Sequence, residues 1–289
     1  VTSRQPLNLQ AEYLFTLRGL PVPEENTTPP PAVVGSIPRR TQMPASMQLF
    51  HERVRRVVNN FRPNQHTYAD IAAICRLVSG LPLAIELAAT QVRYRPCHEI
   101  RLALSVNYAT LTTDLNDVPA RHRSLQVVLD DSWRLLSPEE ADVLARCTLF
   151  QGGFTSEAAA VIADATPLIL HWLGQKSFLY PDQTNRYTMH PLVRQYAHEV
   201  FQAAGAEPLA AIAQRHSHYY LALVCAQEAV LQGATPQTAT GLIRQELLNI
   251  QAAWRWAVAH GQWRAVAQCS MALANFYRMA GLVIEGSAD

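Results

Sequence analysis

Residues 177–191 read Ser177-Phe178-Leu179-Tyr180-Pro181-Asp182-Gln183-Thr184-Asn185-Arg186-Tyr187-Thr188-Met189-His190-Pro191. Two short runs of aromatic and extended-chain formers flank Asp182-Gln183-Thr184-Asn185, a turn-forming tetrapeptide. The spacing therefore predicts a hairpin with strands over 177–181 and 186–189. Pro191 suits the first position of a helix, so a helix is expected from there. Upstream, Leu125, Val128, Leu129, Trp133 and Leu136 recur at helical spacing. Ser137-Pro138-Glu139-Glu140 then supplies a capping serine, a first-turn proline and a glutamate three residues after the cap. The helix it opens ends near Cys147, Gly152-Gly153 makes a turn, and short helices are expected over about 155–164 and 167–175. Three helices followed by a hairpin is the recipe for a winged helix.

Downstream, from 208, long helices carry Tyr219, Tyr220, Trp254, Trp256, Trp263, Phe276 and Tyr277, which reads as the start of helix-pair repeats. Towards the other end, Ser46 to about Phe61 is amphipathic, and Thr67 is expected to cap a helix running to Ser79. Gly80 stops that helix and Pro82 starts the next, to about Tyr94, with another after Pro96. Residues 21–45 hold Pro21, Pro23, Pro29, Pro30, Pro31, Pro38 and Pro44, too many for regular structure, and read as a surface connection. Val1-Thr2-Ser3-Arg4 reads as the end of a strand, and the chain as a piece of a longer protein. The expected fold is mainly α, in four segments. These are 1–45, an α/β-domain tail with its proline-rich connection; 46–115, a helical unit; 116–205, the winged helix; and 206–289, the start of the repeats.

The bulk composition agrees with packed helices. Hydrophobic residues make up 49%, charged residues 16% and glycines only 12 of 289, which excludes a disordered chain and disfavours a glycine-rich nucleotide sheet. Net charge is +1, so nothing electrostatic points to nucleic acid or an anionic membrane. No apolar run reaches the roughly 18 residues needed to span a bilayer. Cys75, Cys97, Cys147, Cys225 and Cys269 are scattered, form no CxxC pair and read as reduced thiols, so a cytoplasmic location is expected. Lys176 is the lone lysine; every other cationic side chain is arginine.

Several chemistries are missing. A phosphate loop needs G-x-x-x-x-G-K-[ST], and the lone lysine lies in Gly174-Gln175-Lys176-Ser177, which fails that pattern. As it stands, then, the chain is not expected to be an enzyme, and no catalytic or metal-ligating set is assigned. Gln126-Val127-Val128-Leu129-Asp130-Asp131 imitates the magnesium-binding strand of an ATPase, but its apolar period is 3.6 rather than 2, so it reads as helix. His216 and His218 lack further ligands nearby and read as solvated surface histidines. In a DNA-reading winged helix, the third helix offers polar side chains to bases. Here it is Pro167-Leu168-Ile169-Leu170-His171-Trp172-Leu173-Gly174, expected to be a buried structural helix with no direct DNA contact.

Five stretches carry a resemblance. They are Leu7-Asn8-Leu9-Gln10-Ala11-Glu12-Tyr13, Ile74 through Ala89 around Gly80-Leu81-Pro82, Arg121-His122-Arg123-Ser124 with Ser132-Trp133, Phe150-Gln151-Gly152-Gly153-Phe154, and Met189-His190-Pro191-Leu192 through Ala197. Their order and spacing resemble the STAND class of signal-transduction NTPases with NB-ARC-type cores, in its bacterial transcriptional-regulator-like branch. The stretch around Glu246 to Trp256 is similar to the opening of that branch's helical-repeat sensor. The resemblance implies a nucleotide-domain tail over 1–45, a lid over 46–115, and an ATP/ADP-dependent switch whose magnesium is held by residues N-terminal to this chain. Arg4 matches the arginine that senses the terminal phosphate; Pro82, with the Gly80-Leu81 backbone, matches the contact to adenine; His190 matches the histidine that contacts the ADP β-phosphate. The departure is Pro191, where the family has aspartate. The implied partners are the nucleotide-binding domain of the complete chain, an inducer on the repeats and further copies of the protein on activation. The full-length protein would be an ATPase. Two other readings stay open: a winged-helix DNA-binding regulator, and a helical-repeat interaction module with no nucleotide role.

Overall fold

The computed structural model describes residues 17, 19–24, 43–115, 119, 122–203 and 206–281. Arg4, Arg121 and the expected strand end at 1–4 lie outside them. The described chain is mainly α-helical with one small sheet. Contacts divide the described residues into two units, those between 17 and 136 with His190–Tyr196, and Ser137–Met189 with those between 197 and 281.

The first unit is a helical bundle of α1 (Ala45–Val57), α2 (Gln65–Leu77), α3 (Pro82–Gln91), α4 (Cys97–Val106) and α5 (Leu125–Trp133). Met47, Phe50 and Val54 recur every three or four residues on α1 and are buried, as are Ile71 and Ile74 of α2, Ile85 of α3 and Ile100 of α4. Burying side chains of that size contributes roughly 1.5–3 kcal/mol each. The α2 cap differs from the expectation. The helix opens two residues before Thr67, and the Asn64 side chain accepts from the Thr67 amide at 2.9 Å, so asparagine is the cap. The start of α1 has no side-chain cap. There the Pro21 carbonyl accepts from both the Ser46 amide and hydroxyl, so part of the proline-rich connection is tied to the bundle. The segment with Asp130 and Asp131 is helical, and Asp130 accepts from the Tyr196 hydroxyl at 2.7 Å.

The second unit contains α6 (Pro138–Arg146), β1 (Gly153–Thr155), α7 (Ser156–Ala163), α8 (Pro167–Gln175), β2 (Leu179–Pro181) and β3 (Arg186–Met189). The strands form an antiparallel sheet of order β1-β3-β2, with Tyr187 facing Phe154 on one side and Pro181 on the other. The hairpin was legible in the sequence; β1 was not, because three residues after a glycine turn carry no period. The capping box at Ser137 and Glu140 is formed, and Lys176 Nζ lies 2.6 Å from Glu140 Oε2. Burial opposes the charge on Glu140, but Lys176 and the Ser137 amide outweigh it and hold the carboxyl below its usual range.

Helix α8 corrects one expectation. Ile169, Leu170 and Leu173 are buried, but Leu168 and Trp172 are 61% and 42% exposed and His171 is exposed too, so the helix is buried on one side only. The same unit holds the long helices α10 (Ala206–Ala226), α12 (Pro236–Ala259) and α13 (Trp263–Ala280), with the short α11 (Glu228–Leu231). They pack against one another as helix pairs around Tyr220, Val224, Ile243, Ile250 and Phe276. Helix α9 (Pro191–Ala203) is shared between the two units. No helix among the described residues is long and apolar enough to cross a membrane.

Candidate functional site

The turn at Gly80 is built by two opposed glycines. Ser79 and Gly80 take φ of 47° and 70°, which lets α2 end and α3 begin within four residues. The Gly80 amide returns to the Cys75 carbonyl at 3.0 Å, and Leu81 precedes α3 with Pro82 at its first position. A Cβ at Gly80 would come within 2.0 Å of the Leu20 carbonyl oxygen, and one at Gly19 within 2.3 Å of the Ser79 oxygen. The Leu20 amide donates to the Gly80 carbonyl at 2.9 Å. The close backbone approach at Gly80 is therefore used by the chain's own Leu20, while the Pro82 ring is exposed and Leu81 half-buried.

His190 directly precedes α9. Its Nδ1 accepts from the Leu192 amide at 3.2 Å, one of the amides that helix geometry leaves unpaired. A nitrogen that accepts carries no proton, so in the neutral ring Nε2 bears the hydrogen and is a donor. Nε2 is buried and has no hydrogen-bond partner. Burial pushes the His190 pKa down, so the ring is neutral at pH 7. With Pro191 at the first position of α9, the helix cap comes from the His190 ring itself.

Among the described residues, no hydrogen bond, ion pair or ring contact joins His190 to Gly80, Leu81 or Pro82, and Arg4 is not described. The residues that carried the resemblance thus stand as two separate features.

A third feature was not assigned from sequence. Arg186, the first residue of β3, is ion-paired with Glu246 of α12, and both side chains are only 8% exposed. The other carboxylate oxygen, Glu246 Oε2, accepts from Asn249 Nδ2 at 2.9 Å. That Nδ2 also reaches the Gly153 carbonyl at 2.9 Å, and Asn249 Oδ1 accepts from the Gln151 amide at 2.6 Å. One turn of α12 thus grips the Gln151–Gly153 loop and the start of β3. Phe150 stacks on Phe154 beneath this loop with ring centroids 4.3 Å apart. His216, expected on the surface with His218, is buried against Phe150 and Tyr220; only His218 is exposed. Burial lowers the His216 pKa to about 4, opposed by Asn249 beside it. The sequence did hold a signal. Phe150–Phe154 and Glu246–Trp256 both belonged to the resemblance, but nothing in either stretch says that they meet.

No protein-family model matches the chain. It is 27% identical over 270 residues to "Putative HTH-type transcriptional regulator Rv0890c" of Mycobacterium tuberculosis, covering 90% of this chain and 28% of that protein. A second M. tuberculosis protein, "Uncharacterized protein Rv0894", is 32% identical over 117 residues, covering 40% of this chain and 30% of its own length. The chain therefore spans less than a third of the curated relatives it matches. Among solved structures, a STAND protein with a tetratricopeptide repeat sensor from Pyrococcus horikoshii covers 84% of this chain and 34% of its own. Its identity is 16% and its TM-score 0.32, so the fold described above rests on this chain's own elements. The relative matched over most of this chain carries the name of an HTH-type transcriptional regulator, and the motifs resemble those of transcriptional regulators.

Proposed function

We propose that the chain is the regulatory, nucleotide-sensing arm of a STAND-type transcriptional or signalling switch. In this reading 46–115 is the lid, 116–205 the winged helix and 206–289 the start of the sensor. His190 carries the proposal: a neutral ring whose Nδ1 is fixed as an acceptor leaves Nε2–H as a buried donor without an acceptor. A buried donor in that state is costly, and an anionic oxygen satisfies it with a charge-assisted bond. The β-phosphate of ADP, held mainly by a nucleotide-binding domain elsewhere in the complete protein, supplies such an oxygen. Pro82, exposed at the head of α3, offers its ring to the base; the Gly80 backbone keeps its place against Leu20 instead. Arg4 would read the terminal phosphate of ATP. Exchange of ADP for ATP, driven by an inducer on the repeats, would release the winged helix and permit assembly of further copies.

The test uses the full-length protein. His190→Ala is expected to lower the ADP that co-purifies on the order of tenfold, the worth of one charge-assisted hydrogen bond, and to raise basal output. ADP retained at the wild-type level with unchanged basal output would overturn the role of His190.

A further inference from the structure

We propose that Arg186, Glu246 and Asn249 form a positioning clamp that transmits displacement of helix α12 to strand β3, and through β3 to the chain at His190. The proposal rests on the nucleotide-sensing reading for its consequence, though its geometry is independent of it.

The first argument is energetic. Taking a guanidinium and a carboxylate out of water costs several kcal/mol per ion, and well-packed apolar side chains of similar volume often serve stability as well or better. Arg186 and Glu246 are nonetheless almost completely buried. What such a pair supplies, and an apolar pair does not, is direction: it is satisfied in one register only.

The second argument is geometric. Glu246 and Asn249 are three residues apart on α12, so they lie on the same helical face. Between them they hold the Arg186 side chain, the Gly153 carbonyl and the Gln151 amide. β3 is the central strand, bonded to β1 and to β2. Shifting α12 by a fraction of a residue therefore breaks the clamp or carries β3 along. An extended strand rises about 3.3 Å per residue with little longitudinal slack. β3 spans only Arg186 to Met189, and His190 is the next residue. The Leu192 amide, bonded to His190 Nδ1, gives a direct readout at the far end.

The test replaces the ion pair with an apolar one, Arg186→Met with Glu246→Leu, in the nucleotide-free chain. The double variant is expected to unfold cooperatively at a melting temperature no lower than wild type. Amide exchange at both Gln151 and Leu192 is expected to rise on the order of tenfold, and the His190 ring nitrogen resonances to shift. Glu246→Gln, which keeps the side-chain shape but drops the charge, should move the same signals less; it also serves if the double variant does not fold. Faster exchange at Gln151 with wild-type exchange and resonances at Leu192 and His190 would make the clamp local packing and overturn the proposal. Because no nucleotide is present, these results are separable from the ADP retention that tests His190.

Discussion

The two units are stabilised in different ways. In the unit of α1–α5 the core is apolar, and ion pairs such as Arg53–Glu86 at 2.7 Å and Arg101–Asp70 at 2.8 Å keep part of their surface in solvent. Its fine positioning is done by main chain: Gly19 against Gly80, and the Pro21 carbonyl on Ser46. In the unit of the sheet and long helices, a charged pair and an asparagine lie inside, joining residues about sixty to a hundred positions apart. Apolar packing fixes which surfaces meet and tolerates small slips. Buried charges fix how they meet, and tolerate none.

The sharpest way to break this contrast is to truncate one partner in each unit. Glu246→Ala leaves the Arg186 guanidinium buried and unpaired, and should cost about 3–5 kcal/mol in urea unfolding. Arg53→Ala, at a pair about one-third exposed, should cost about 0–1 kcal/mol. Equal losses would erase the distinction. Acid should next find the sheet-containing unit. His216 binds its proton near pH 4 when folded but near 6.5 when unfolded, so the unfolded chain takes up the proton first. The stability it contributes is complete above pH about 6.5 and declines by on the order of 3 kcal/mol as pH falls to about 4. His216→Leu should flatten that slope in urea midpoints measured at pH 7 and pH 4.5. An unchanged slope would move the acid sensitivity elsewhere. A loss of about 1–3 kcal/mol, below those at Glu246 and His216, is expected at Gly80→Ala. There a left-handed φ and the Leu20 oxygen both oppose a side chain. Stability unchanged from wild type would show that residues 19–23 move aside without consequence.

Local chemistry was legible in the sequence where it is self-contained. The capping box at Ser137, the hairpin around Asp182–Asn185, the helix–turn–helix at Gly80–Pro82 and the helical period through Asp130 each follow from a few adjacent residues. The features that escaped depend on distant partners. The α2 cap is a local exception: Asn64, the stronger cap former of the two, reaches forward to the Thr67 amide and starts the helix two residues early. His216 looked solvated because its burial comes from Phe150 and Tyr220, one of them 66 residues away. The exposure of Leu168 and Trp172 was hidden for the opposite reason, since an all-apolar helix does not state which face lacks a neighbour. Of the candidate site, the positions of Gly80 and His190 in their turns were legible. The tautomer that arms His190 needed the Leu192 amide in place.

Lys176 carries a last consequence. Every other cationic side chain is an arginine, so chemistry that recognises a side-chain amine has a single address on this chain. That address is not free: its ammonium is held by the same carboxylate that closes the cap of α6. Acylation there would remove the charge and leave Glu140 facing an amide, loosening the first turn of a helix through a modification made some forty residues downstream.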